Sequence, residues 1–204
     1  GTIRVGNVAA GALAAVAIGA FFYWTVSMFG MGVLFALDPI VSQALGANDP
    51  LAVRRGLQRA LVLSVALSAL TSAALWLEEP VLTLGRQPAE VIPGAAGYVH
   101  RLIPSVWPCY AFVVFRQTLQ AHHRTAPIVV TIVAANLLNV ALNYALIYGH
   151  WGFPAMGILG SAWATTVSRW FMAGLLLVLG WRALAPYLGQ RAPNLLHWPP
   201  IGPM

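Results

Sequence analysis

The chain has 204 residues, of which 59% are hydrophobic and only 8% charged, and its mean hydropathy is +0.76. An ordinary soluble domain carries roughly 25% charged residues, so this composition excludes a soluble globular protein and points to an integral membrane protein. The formal net charge is +6, yet the arginines fall at helix ends and no basic stripe interleaved with aromatics is present, which excludes a nucleic-acid surface.

In chain order, charge-free runs cover 5–37, 60–77, 102–115, 125–168 and 170–181. A spanning helix needs about 20 mostly apolar residues. The long fourth run is divided by Gly149-His150-Trp151-Gly152-Phe153-Pro154, whose glycines and proline break a helix. The pattern predicts an all-α polytopic bundle of five transmembrane helices at 10–37, 57–78, 95–119, 127–148 and 157–182, each satisfying its own backbone in lipid.

The first helix ends at Asp38 and Ser42, an i, i+4 pair on one face. Asp38 is the acidic residue close to a span, and it reads either as a cation or gating partner or as a hydrated interfacial carboxylate. Gln43 suits a hydrogen bond at a helix end near Gly46. Arg54, Arg55 and Arg59 lie in the first turn, Arg124 in the third, and Arg182 and Arg191 after the last helix. Those sides are cytoplasmic by the positive-inside rule, which puts the amino end outside. The turn holding Glu78, Glu79, Arg86 and Glu90 faces outward, as does the His150 loop.

In the third helix, Pro104 and Pro108 each remove a backbone donor, so a kink is expected, with freed carbonyls near Ser105 or Tyr110. Cys109 stands alone, which leaves no internal disulfide and no thiolate metal cluster. It reads as a small packing residue. His122 and His123 point to different helix faces and are not metal ligands by spacing. No nucleophile with a plausible base and no glycine-rich phosphate loop occurs, so enzyme chemistry is unsupported.

The fourth helix carries the most informative segment, Asn136-Leu137-Leu138-Asn139-Val140-Ala141-Leu142-Asn143-Tyr144. At about 100° per residue, Asn136 and Asn143 differ by about 20° around the helix, and Asn139 lies about 60° away. Uncompensated amides cost several kcal/mol in hydrocarbon, so this face is expected to look into protein or a cavity. It reads as site lining or as interhelical hydrogen-bond glue. In the fifth helix, Arg169 falls deep in the span and must pair or snorkel, while Gly157, Ser161, Ala164, Thr165 and Ser168 form a small-residue packing stripe.

Several segments together carry a family resemblance. They are Gly11-Ala12-Leu13-Ala14-Ala15-Val16, then Ala36-Leu37-Asp38-Pro39-Ile40-Val41-Ser42-Gln43-Ala44-Leu45-Gly46-Ala47, and Leu119-Gln120-Ala121 before Thr125-Ala126-Pro127. The strongest is Asn139-x3-Asn143-Tyr144 followed by Tyr148-Gly149, Gly152, Pro154-Ala155, Gly157-Ile158 and Gly160-Ser161-Ala162-x-Ala164-Thr165. In order and spacing, residues 1–183 resemble the amino-terminal lobe of a MATE (multidrug and toxic compound extrusion) transporter.

The resemblance implies a twelve-helix fold, of which these helices correspond to the second through sixth. Residues 1–183 are then a partial amino-terminal lobe and 184–204 a cytoplasmic linker leading toward the seventh helix. On this reading the chain is a fragment whose partners include the missing first helix and carboxy-terminal lobe, along with the lipid bilayer. The implied activity is cation-coupled antiport, exporting drugs and other small organic, often cationic, compounds from a multi-pass position in the plasma membrane, with sodium or a proton as coupling ion and no other cofactor. Asn139 and Asn143 match the polar pair lining the family's cation site, a candidate sodium site; Asn136 shares their face, and Thr165 matches a hydroxyl from the next helix. Asn143 stands where another branch has Asp, which sets an amide carbonyl in place of a proton-carrying carboxylate. Tyr23, Trp24 and Tyr110 are expected to line the apolar cleft. The alternatives are a lipid-linked saccharide flippase of a related superfamily, for which Arg169 alone offers a cavity cation, and a non-functional membrane remnant.

Overall fold

The computed structural model describes residues 2–36 and 38–189, with side chains over 11–36 and 39–189. The described elements are α1 (Thr2–Phe35), α2 (Asp38–Gly46), α3 (Pro50–Leu75), α4 (Glu78–Leu84), α5 (Ile92–Leu102), a 3-10 turn (Ile103–Ser105), α6 (Val106–Ala121), α7 (Ala126–Tyr148) and α8 (Ile158–Leu188). No strand occurs among the described residues.

Four stretches are long and apolar enough to cross a membrane: 11–46, 50–75, 126–148 and 158–188. Each matches an expected helix. The remaining expected helix, 95–119, is a broken rod in which α5, the 3-10 turn and α6 follow one another over 92–121. The prolines are the cause. Pro108 has no N–H to give the carbonyl of Pro104, and Pro104 has none for the carbonyl of His100, so the α-helical ladder lapses there.

Local signals fix the other ends. The Asp49 carboxylate accepts the N–H groups of Leu51 and Ala52, both at 3.0 Å, and Pro50 opens α3 where its missing N–H costs nothing. Gly149 ends α7 with φ 75°, and a Cβ there would also lie 2.8 Å from the Ala155 nitrogen. Glycine is therefore required twice over at this turn.

Inside the bundle, Tyr23, Leu34, Leu57, Leu75, Tyr110, Leu119, Leu176 and Leu184 are fully buried. The Tyr110 hydroxyl bonds Thr71 Oγ1 at 2.9 Å and donates to the Ser27 carbonyl at 3.0 Å, tying α6 to α3 and α1. Gly30 makes room for that hydroxyl, since any Cβ would collide with it. The outer surface is apolar: Leu13, Phe21, Phe29, Leu70, Leu137, Val140 and Val178 are all exposed. In lipid such side chains gain nothing from burial, so close packing and hydrogen bonds hold the helices together.

That packing is tightest between α7 and α8. A Cβ built on Gly160 would sit 2.5 Å from the Leu146 carbonyl oxygen and 2.7 Å from its carbon. Backbone cannot yield as a flexible side chain can. Gly160→Val should therefore cost about 1–3 kcal/mol or more through overpacking, whereas Gly174→Ala, with nothing within 4 Å of its Cβ, should be neutral. Thermal midpoints of the two purified variants in detergent check this, and equal midpoints would refute the close approach.

Candidate functional site

Asn139 and Asn143 are one turn apart on α7 and bonded to each other, with Asn143 Nδ2 donating to Asn139 Oδ1 at 2.9 Å. This pairing turns Asn143 Oδ1 inward, where it is buried without a hydrogen-bond partner. An unmet buried acceptor costs about 1–3 kcal/mol. Its natural complement is a hydrogen-bond donor or a hard cation that takes oxygen ligands. Asn136 is exposed and donates to the Ile132 carbonyl of its own helix at 2.9 Å. Thr165 is half-buried on α8, and its Oγ1 donates to the Ser161 carbonyl at 3.0 Å. That bond uses the hydroxyl hydrogen and leaves the oxygen able to accept. No group of three or more His, Cys, Asp or Glu able to hold a metal occurs among the described residues.

The remaining expected positions are dispersed. Asp38 begins α2, but its side chain lies outside the described residues. Gln43 is exposed, and its backbone carbonyl accepts from Ala47 at the end of that helix. The expected linker begins inside α8, which continues to Leu188, and positions 190–204 lie outside the described residues.

Arg169 is the hub of a second polar cluster. Its Nη1 donates to the Tyr23 hydroxyl and, at 2.8 Å, to Ser105 Oγ. Its Cζ lies 4.8 Å from the Tyr23 ring centroid and 5.4 Å from that of Trp24, within the range of cation–π attraction. Ser105 reaches this position because it closes the 3-10 turn, where its Oγ also donates to the Leu102 carbonyl at 2.6 Å. The same face of α8 also reaches backbone carbonyls at the break. Thr166 Oγ1 donates to the Arg101 carbonyl at 2.7 Å, and Trp170 Nε1 donates to the Pro104 carbonyl, the one that Pro108 leaves empty, at 3.0 Å. Thr166, Arg169 and Trp170 stand at i, i+3 and i+4 on one face. The Pro104/Pro108 spacing announces the empty carbonyls of His100 and Pro104; nothing in the sequence names α8 as donor to the second. Tyr23 and Tyr110, expected at the cleft, are fully buried instead, while Trp24 is 46% exposed.

Comparison with known proteins places these features in a lineage. The family model MatE matches residues 1–145. The chain belongs to the MatE family. The match takes in all three asparagines and ends before Thr165 and Arg169. Among curated relatives, the chain is 32% identical over 201 residues to the Probable multidrug resistance protein NorM of Rhizobium meliloti, covering 98% of this chain and 43% of that protein. It is 34% identical over 197 residues to the Multidrug resistance protein PmpM of Pseudomonas aeruginosa, covering 94% and 41%. With the Multidrug resistance protein NorM of Vibrio parahaemolyticus it shares 31% over 176 residues, 86% and 39%. The chain thus spans about two fifths of the length of these relatives. Membership of the MatE family and four apolar spans agree that this is a membrane protein.

One buried acid in this MatE chain was not legible beforehand. Glu78, read from sequence as part of an outward-facing turn, is fully buried at the start of α4, and neither carboxylate oxygen has a partner. Burial, reinforced by the neighbouring Glu79 charge, pushes its carboxyl up from 4.5 to about 7. Between those values the folded protein keeps a proton that the unfolded chain has lost. Its contribution to stability is therefore largest below pH 4.5, falls as pH rises to about 7 and then levels. The expected loss across that window is about 1–3 kcal/mol. Glu78→Gln, which stays neutral, should flatten it. Thermal midpoints recorded across this range for both proteins test the point, and parallel curves would reject it.

Proposed function

We propose that the chain is part of a secondary transporter that exports drugs and other small organic, often cationic, compounds by antiport against a cation, from the plasma membrane. Family membership and relatives named as multidrug resistance proteins support the class of activity. The observation that carries the coupling is the unpartnered Asn143 carbonyl oxygen beside Asn139, inside a helix apolar enough to cross a membrane. A carbonyl oxygen ligates sodium directly and stores no proton at neutral pH. Sodium is thus the coupling ion this pair serves best. A proton would have to be carried by another group. Asn143 Oδ1 supplies the ion's oxygen, with Asn139 orienting it, and Thr165 Oγ1 on the next helix is the proposed second ligand. The lipid bilayer surrounds the helices, and the rest of a transporter of the relatives' length completes the ligand shell and the alternating access.

The test compares Asn143→Ala with Cys109→Ala in the complete gene product. Cys109 is buried in the bundle and has no evident polar task. Asn143→Ala removes one hydrogen bond within α7, worth about 0.5–1.5 kcal/mol net, so both variants should insert and accumulate alike. Asn143→Ala should lose sodium-stimulated drug efflux and weaken sodium affinity, whereas Cys109→Ala keeps both. Unchanged ion dependence in Asn143→Ala would return the asparagines to a packing role.

A further inference from the structure

Arg169 lies roughly 16 Å along α8 from its start at about 1.5 Å per residue, close to half the depth of a hydrocarbon core of about 30 Å. A charge at that depth is costly unless compensated. Its hydrogen-bond partners among the described residues are the neutral hydroxyls of Tyr23 and Ser105, both taken by Nη1. These orient the guanidinium without neutralising it. Acidic side chains with a described position are Asp49, Glu78, Glu79 and Glu90; Asp49 caps α3, Glu78 and Glu79 begin α4, and Glu90 precedes α5. None of them is bonded to Arg169. Arg101, by contrast, turns its Nη1 back to the Gly97 carbonyl of its own helix at 2.8 Å.

The ring centroids of Tyr23 and Trp24 lie 4.8 and 5.4 Å from the guanidinium carbon, within the range of cation–π attraction. Nε and Nη2 have no hydrogen-bond partner among the described residues, and neither is a buried orphan. Two parallel donors on one edge match the two oxygens of a carboxylate. Trp24, whose ring centroid lies 5.4 Å from the guanidinium carbon, is 46% exposed, an apolar platform near the charge.

We propose that Arg169 and Trp24 form a binding site for an organic carboxylate, with the acid group on the Arg169 edge and the ligand's apolar body on the Trp24 ring. The site deepens the transporter reading above by placing recognition of a compound's acid group on named residues, and it rests on that reading for its biological use. A carboxylate side chain from elsewhere in the same polypeptide has the same chemistry, and the experiment separates it from a diffusible ligand.

The complete gene product in lipid nanodiscs is titrated with radiolabelled 1-naphthoate and, in parallel, with its uncharged analogue 1-naphthamide. Saturable naphthoate binding is expected, with naphthamide weaker by about tenfold or more. Arg169→Gln should abolish that preference, Arg169→Lys should keep part of it because the charge remains but the fork is lost, and Trp24→Ala should weaken both ligands together. Trp24→Ala leaves the bonds from Arg169 to Tyr23 and Ser105 in place, so it reports even if Arg169→Gln fails to fold. Equal binding of acid and amide overturns the proposal, as does naphthoate affinity unmoved by Arg169→Gln or Trp24→Ala. Absence of saturable naphthoate binding also overturns it. Sodium-driven export of a cationic dye, measured on the same preparation in liposomes, stands apart: retained export with no carboxylate binding sinks this site and spares the transport reading, and carboxylate binding without export does the reverse.

Discussion

Two prolines four residues apart set the constraint on which much of this bundle depends. In an apolar surrounding an unmet carbonyl has no water to turn to, so a break at Pro104 and Pro108 must be repaired by protein groups. α8 supplies part of the repair: Thr166 and Trp170 reach the carbonyls of Arg101 and Pro104, and Arg169 holds Ser105 at the end of the turn. The repair also settles where Arg169 goes. Bonded to the turn, it extends to Tyr23 and Trp24, so the break, α8 and α1 become one connected polar unit.

The asparagine pair follows the same logic with the opposite outcome. Asn143 spends its amide donor on Asn139 and is left with a buried acceptor. A helix that needed only internal satisfaction would have used that oxygen too. α7 is held against α8 by the near-contact of Gly160 with the Leu146 backbone, which fixes the wall on which the pair stands. The close packing and the unmet acceptor thus lie within one turn of each other on α7, Leu146 standing three residues beyond Asn143.

Two polar groups therefore remain open for different complements, an oxygen on α7 and a guanidinium edge on α8. The cation and the carboxylate proposed for them stand at separate points on adjacent helices. Glu78 adds a third unsatisfied group at the end of the α3 span, where loss of its proton works against the fold as pH rises through neutrality.

Hydropathy and helix breakers in the sequence determined the membrane class, the order of the helices and most of their limits, because backbone hydrogen bonding in lipid permits few alternatives. Asn139 and Asn143 were legible as a pair since a one-turn spacing puts two side chains on one face whatever surrounds them. The division of 92–121 was legible as a kink at Pro104 and Pro108. What closes it was not: Trp170 lies 66 positions from Pro104 and Arg169 lies 146 from Tyr23, and no local pattern encodes a partner that far along the chain. Burial was equally out of reach for Tyr23, Tyr110 and Glu78. A tyrosine at a cleft and one in a core have the same neighbours in sequence, and only the packing of α1, α3, α5 and α6 decides which groups meet solvent, which meet a partner and which meet neither.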